Sequence, residues 1–224
     1  MPDPRELRFE ATDLHEVGAL ILRPRGAVAC LVLGHGAGAG MRHPFMEATA
    51  QGLADRGIAT FRYQFPYMEA GRRPPNPPHV LLPTVRNAVA AAKRSIRGLP
   101  LFAGGKSMGG RMSSLATAAK PLNGVRGLVF HGFPLHPYGK EGIERAAHLV
   151  DVKIPMLFIQ GTRDKLCDLT LLKPVLKKIR RRAALHLIEG GDHGFHVNKS
   201  SGRTDDEALR ELVDVTADWI CAKV

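Results

Sequence analysis

Ser107, Asp164 and His193 stand far apart in the chain, but together they are the residue types that nucleophilic attack on a carbonyl requires. Ser107 lies in "GKSMGG", where Gly105, Ser107 and Gly109 have the spacing G-x-S-x-G. That spacing, after an apolar strand and before a helical pattern, marks a sharp turn that holds the serine hydroxyl exposed. Glycine flanks the serine because neighbouring backbone comes too close for side chains. A serine hydroxyl is a poor nucleophile until a base takes its proton, and the base must be oriented by a carboxylate. Asp164 closes "GTRD", His193 stands in "GGDHGFH", and the chain order Ser, Asp, His is the one that accompanies such turns. Asp168 lies four residues beyond Asp164, where a helix is about to begin. Asp192 reads as a loop-shaping neighbour of His193, and His196 lies three residues further into the loop. The trio Gly105-Lys106-Ser107 also resembles the end of a phosphate-binding P-loop, but that motif needs glycine where this chain has Pro100.

A negatively charged tetrahedral oxygen needs two backbone N–H donors. One is expected from Met108, the residue after the serine. The other is expected from "HGAG", in the glycine-rich loop after the strand that ends near residue 33, with Ala37 or Gly38 as the donor. The same loop fits a dinucleotide site poorly. The next strand ends in Arg62 rather than an acidic residue, and Met41-Arg42-His43-Pro44 interrupts any helix that starts at the glycines.

These residues need elements to hold them. Apolar runs at 19–23 and 27–33, around a turn at Pro24-Arg25-Gly26, read as strands, as do 58–63, 99–105, 124–132, 154–161 and 183–190. Helical patterns run from Pro44 to about Gly57 and over 84–98, about 109–120 and about 171–182. Thr204 and Glu207 form a capping box that opens a terminal helix. The prolines of 64–79 predict an irregular segment. Strands alternating with helices imply an α/β fold over 1–224, a mostly parallel sheet with helices on both faces. In such sheets ligands sit beyond the carboxyl ends of the strands, where Ser107, Asp164 and His193 all fall.

The chain has 224 residues and a net charge of +11, without a basic tail or basic-aromatic interleaving, so the surplus reads as solvated helix faces rather than a specific nucleic-acid surface. Cys30, Cys167 and Cys221 have no C-x-x-C spacing, which argues against zinc and a disulfide framework. The opening "MPDPRELRFE" has charges where a signal peptide needs an apolar core, and the longest apolar run is too short to cross a bilayer. A cytoplasmic protein without membrane association is the expectation.

The stretches "GHGAGAGMRHPFM", "FPYMEAGRRPP", "GGKSMGGRMSS", "GFPLHPYGK", "LFIQGTRD" and "GGDHGF" make the chain resemble an α/β-hydrolase of the dienelactone-hydrolase-like kind over about residues 15–222. Within it the chain is most similar to the group related to testis-expressed protein 30 and KAT8 regulatory NSL complex subunit 3. The resemblance implies Ser107, Asp164 and His193 as a triad; with Met108 and Ala37 as the expected oxyanion donors, this chemistry needs no cofactor or metal. Dienelactone hydrolases proper carry cysteine at the Ser107 position, so their lactone substrate does not transfer. Only about 22 residues separate the strand ending at His131 from the one starting at Ile154, too few for a full cap domain. Arg72, Arg73 and Lys106, with His131, are candidates to bind a small acyl substrate through an anionic group; the alternative for the three cations is solvated surface charge. The functional expectation is hydrolysis of an ester, thioester or amide. The rival is a non-enzymatic interaction module that keeps the fold.

Overall fold

The computed structural model describes residues 3–224. Among them, eight strands form one sheet: β1 (Arg5–Thr12), β2 (His15–Leu22), β3 (Ala29–Gly34), β4 (Ile58–Tyr63), β5 (Leu101–Lys106), β6 (Val125–His131), β7 (Met156–Gly161) and β8 (Ala183–Ile188). Their order in space is β1-β2-β4-β3-β5-β6-β7-β8. β2 pairs antiparallel with β1 and β4, and every other pairing is parallel. The helices are α1 (Pro44–Asp55), α2 (Pro66–Glu69), α3 (Pro78–Ser95), α4 (Met108–Ala119), α5 (Leu169–Ile179) and α6 (Asp205–Cys221). None is long and apolar enough to cross a membrane.

Side chains alternate across a strand, so each central strand feeds two cores. Leu31 and Leu33 of β3 pack with Met46 and Leu53 of α1 and Leu212 and Ile220 of α6. Cys30 and Val32, on the other face, join Val85 and Val89 of α3 and Met112 and Ala116 of α4. This two-sided burial is why the central strands are apolar throughout.

Four sequence expectations change. β1 was not anticipated. It is an edge strand in which only Phe9 and Ala11 are buried, while Glu6, Arg8 and Glu10 alternate with them on the wet face. The turn at Pro24–Gly26 exists, but β2 and β3 are not neighbours, because the β3-α1-β4 crossover inserts β4 between them. The proline-rich segment is only partly irregular. Pro66 and Pro78 begin α2 and α3, a position where proline's missing N–H costs nothing, and α3 also tolerates Pro83 inside it. The basic helix stops at Ile179; Arg180 has φ +49°, and residues 180–182 form a 3-10 turn.

The parallel strands direct the carboxyl ends of β3, β5, β7 and β8 to one edge of the sheet. Between β6 and β7 the chain makes a 3-10 segment, Glu144–Asp151, in place of a cap.

Candidate active site

Ser107 sits between β5 and α4 with φ +48° and ψ −111°, a conformation strained for any residue with a Cβ. Close backbone packing enforces it. A Cβ at Gly105 would lie 2.1 Å from the Gly34 carbonyl oxygen, and one at Gly109 would lie 2.2 Å from the same atom. Both glycines of the motif are therefore required by the end of β3. The turn is held from the other side by Ser107 N–H, which donates to the His131 carbonyl at 3.1 Å.

The structure brings the three expected residues together. Ser107 Oγ–H donates to His193 Nε2 at 2.8 Å, and His193 Nδ1–H donates to Asp164 Oδ2 at 2.7 Å. Asp164 is only 6% exposed. Its Oδ1 accepts from Leu166 N at 2.8 Å, and its Oδ2 also accepts from the Gln160 side-chain amide. Gln160 is fully buried and is oriented in turn by Phe133 N, which donates to its Oε1 at 2.9 Å. With Asp164 accepting at Nδ1, the imidazole is left with its lone pair on Nε2, facing the serine. Asp168 is elsewhere: it caps α5, accepting from Thr170 N and Oγ1 at 2.7 Å. Asp192 shapes the loop through Gly194 N and His196 N, while His196 pairs with Asp205 on the surface.

The glycine-rich loop after β3 is pinned by two buried groups. His35 donates through Nδ1 to Gly36 O at 2.7 Å and accepts at Nε2 from Phe65 N; burial lowers its pKa to about 4, so it is neutral. Tyr67 Oη accepts from Gly38 N at 3.0 Å. That bond commits the Gly38 N–H, whereas the N–H groups of Ala37 and Met108 have no acceptor among the described residues.

A cleft of two lobes opens over Ser107. The larger, about 580 Å³, is lined by Phe45, Met46, Phe195 and Leu209 as well as His193. Lys106 runs along it. Its Nζ donates to the His193 carbonyl at 2.5 Å and lies 5.9 and 5.3 Å from the ring centroids of Phe45 and Phe195. Burial pulls its pKa down to about 8, with Asp164 and Asp192 opposing the fall. The smaller lobe, about 370 Å³, lies over Met108 and is walled by Asn76, Pro134, Arg111 and Arg145; Ala37, Ser107 and Leu166 border both lobes.

Three other substrate candidates are placed differently from expectation. Arg72 and Arg73 are exposed just past α2 and line neither lobe, as solvated surface charges, whereas Pro75, Asn76 and Pro78 further along the segment line the smaller one. His131 is fully buried beneath Phe45, where Nε2–H donates to Thr216 Oγ1 at 3.0 Å; burial depresses its pKa to about 3, and it does not reach the cleft. Sequence reasoning missed Arg111, Arg145 and Gln160. Arg111 was findable, since it lies one helical turn after Ser107 on α4. Arg145 comes from a 3-10 segment without periodic pattern, and nothing marked Gln160 apart from its position inside an apolar strand.

A family model described as an alpha/beta hydrolase domain matches residues 27–221. Among solved structures, a dienelactone hydrolase from Anabaena variabilis is 20% identical, with each chain covered in full and a TM-score of 0.77. An alpha-beta serine hydrolase homologue from Coxiella burnetii is 18% identical over 96% of this chain and 98% of that one, with a TM-score of 0.76. A serine hydrolase without a lid from Xanthomonas campestris is 18% identical over 98% and 96%, with a TM-score of 0.74. At these identities the likeness is one of fold.

Proposed function

The chain belongs to the alpha/beta hydrolase domain family, and we propose that it is a serine hydrolase that cleaves an ester, thioester or amide through an acyl-enzyme. Ser107 Oγ attacks the carbonyl carbon while its proton passes to His193 Nε2. Asp164 holds the imidazole tautomer and stabilises the imidazolium. The carbonyl oxygen, now negative, is received by the N–H groups of Met108 and Ala37. Collapse expels the leaving group, which takes the proton from Nε2. Water then repeats the sequence on the acyl-enzyme and regenerates Ser107. Lys106, by holding the His193 carbonyl, keeps the imidazole over the serine. The motifs around Ser107 and the glycine-rich loop support a place beside the testis-expressed protein 30 group, and a small acyl compound rather than a nucleic acid as the partner.

The observation that carries this reading is the continuous chain from Ser107 Oγ through His193 to Asp164, at 2.8 and 2.7 Å, beside two free backbone donors. The test is covalent labelling by a fluorophosphonate probe, read as intact mass and by peptide mapping. One adduct on Ser107, absent from Ser107→Ala, is expected. An unmodified mass, under conditions that label a reference serine hydrolase, would refute the reading and favour a binding module. An adduct on Ser113 or Ser114 would refute the site.

A further inference from the structure

We propose that the smaller lobe is an anion subsite in which Arg111 and Arg145 grip the far end of the acyl group, so that the substrate is an ester, thioester or amide of an acid carrying a second negative charge, in the simplest case a dicarboxylic acid. This rests on the hydrolase reading above.

The first observation is unpaired charge. Arg8, Arg42, Arg56 and Arg203 each reach a carboxylate. Arg111 and Arg145 make no side-chain hydrogen bond or ion pair among the described residues, and Arg111 Nε is buried with no partner at all. No aspartate or glutamate lines the lobe. The Glu144 carboxylate, next in sequence to Arg145, is turned toward Gly142, where a Cβ would meet it at 2.3 Å. The two cations are close enough to feel each other: burial and the charge of Arg145 both lower the pKa of Arg111. His148 is held neutral, its pKa about 4 through burial and the Arg111 charge, and it bonds Ser114 rather than a ligand. Two half-buried guanidinium groups facing one apolar-walled recess are unfavourable without an anion and match a carboxylate in a fork geometry.

The second observation assigns the lobe to one side of the scissile bond. The group that leaves must receive its proton from His193 Nε2, and His193 borders the larger lobe only. The leaving group therefore occupies the larger lobe, and the acyl group runs over Met108 into the one that holds the two guanidinium groups. Arg111 is on the first turn of α4, with its N–H bonded to Ser107 O at 3.0 Å, so the anion is a short chain away from the attacked carbonyl.

The test compares kcat/KM for 4-nitrophenyl hydrogen adipate with that for 4-nitrophenyl hexanoate, its uncharged counterpart, corrected for spontaneous hydrolysis. The protein is expected to favour the adipate ester by roughly tenfold to a hundredfold, the worth of one or two charge-assisted bonds. Arg111→Gln and Arg145→Gln should each drive the ratio toward one, with Arg111→Lys keeping part of it. Equal rates on the two esters, or a preference that survives both glutamine variants, would overturn the subsite while leaving the hydrolase reading intact. If neither ester is cleaved and Ser107 takes no fluorophosphonate, the hydrolase reading fails, and calorimetric titration with free adipate decides the subsite alone. Binding lost in both glutamine variants supports it, and no binding to the unaltered protein overturns it.

Discussion

Replacing Lys106 with methionine should make the protein more stable at neutral pH and a poorer catalyst. The lysine is mostly buried between Phe45 and Phe195, and no carboxylate lies within ion-pair distance among the described residues. Its pKa falls from 10.5 in an open chain to about 8 in the fold because burial penalises the charge. At about 1.4 kcal/mol per pH unit, keeping it protonated costs the folded state about 3 kcal/mol below pH 8. Methionine, similar in shape and uncharged, removes that cost but leaves the His193 carbonyl without its donor, which costs about 1–2 kcal/mol. The net gain at pH 7 is therefore about 1–2 kcal/mol. The sign of its pH dependence follows from the depressed value. Between pH 8 and 10.5 the unfolded chain holds this proton and the folded one does not, so the unaltered protein gains stability as pH rises and the advantage of the variant shrinks. Urea denaturation of both proteins at pH 7.0 and pH 9.5 measures this, with a narrowing of about 2 kcal/mol expected. A difference that does not change with pH, or a variant less stable than its parent at pH 7, would refute the account of Lys106 as a buried, costly cation. On any ester found to be a substrate, the variant should lose kcat, since the loop carrying His193 loses its tether.

Asp164→Asn should lower kcat by several orders of magnitude with little change in Tm, since an amide favours the wrong imidazole tautomer; the equivalent change in chymotrypsin-type triads costs about 10⁴-fold. Asp168→Asn, altering a helix cap, should cost at most about 1 kcal/mol of stability and leave turnover near normal; the reverse pattern in steady-state assays of the two variants would move the acid. Gly109→Ala drives a methyl to 2.2 Å from the Gly34 carbonyl, so thermal denaturation should show a loss of about 3 kcal/mol or more. A Gly109→Ala protein with unchanged Tm would mean that the turn is looser than its contacts imply.

Much of the site was legible because each residue ends an apolar run. Ser107, Asp164 and His193 follow β5, β7 and β8, and a parallel sheet puts such ends on one edge regardless of separation in sequence. The walls of the cleft were not legible in this way. Arg72 and Arg73 share the proline-rich loop with Asn76, yet they face solvent while Asn76 lines the small lobe, and an irregular segment has no periodicity from which such facing can be read. Arg145 reaches the site from a connection with no periodicity. His131 ends a strand as Ser107 nearly does, but its side chain falls on the α6 face, a parity that pattern alone did not resolve. β1 escaped notice because its charges hid a clean alternation, Leu7, Phe9, Ala11, on the inner face.

The Gly34 carbonyl touches the positions of both Gly105 and Gly109, and Gly34 itself opens the loop that presents Ala37. In the proposed mechanism the nucleophile and the oxyanion donors are thus registered to each other by main chain against main chain, with no side chain in between. Such a jig is insulated from drift in the cleft walls. Phe45, Phe195, Leu209, Arg111 and Arg145 can vary without altering the spacing between attacking oxygen and receiving N–H groups. If the proposed chemistry holds, a fold built on this device can change its substrate while the chemistry stays fixed, and a library confined to those five wall positions should yield new acyl preferences far more often than dead protein.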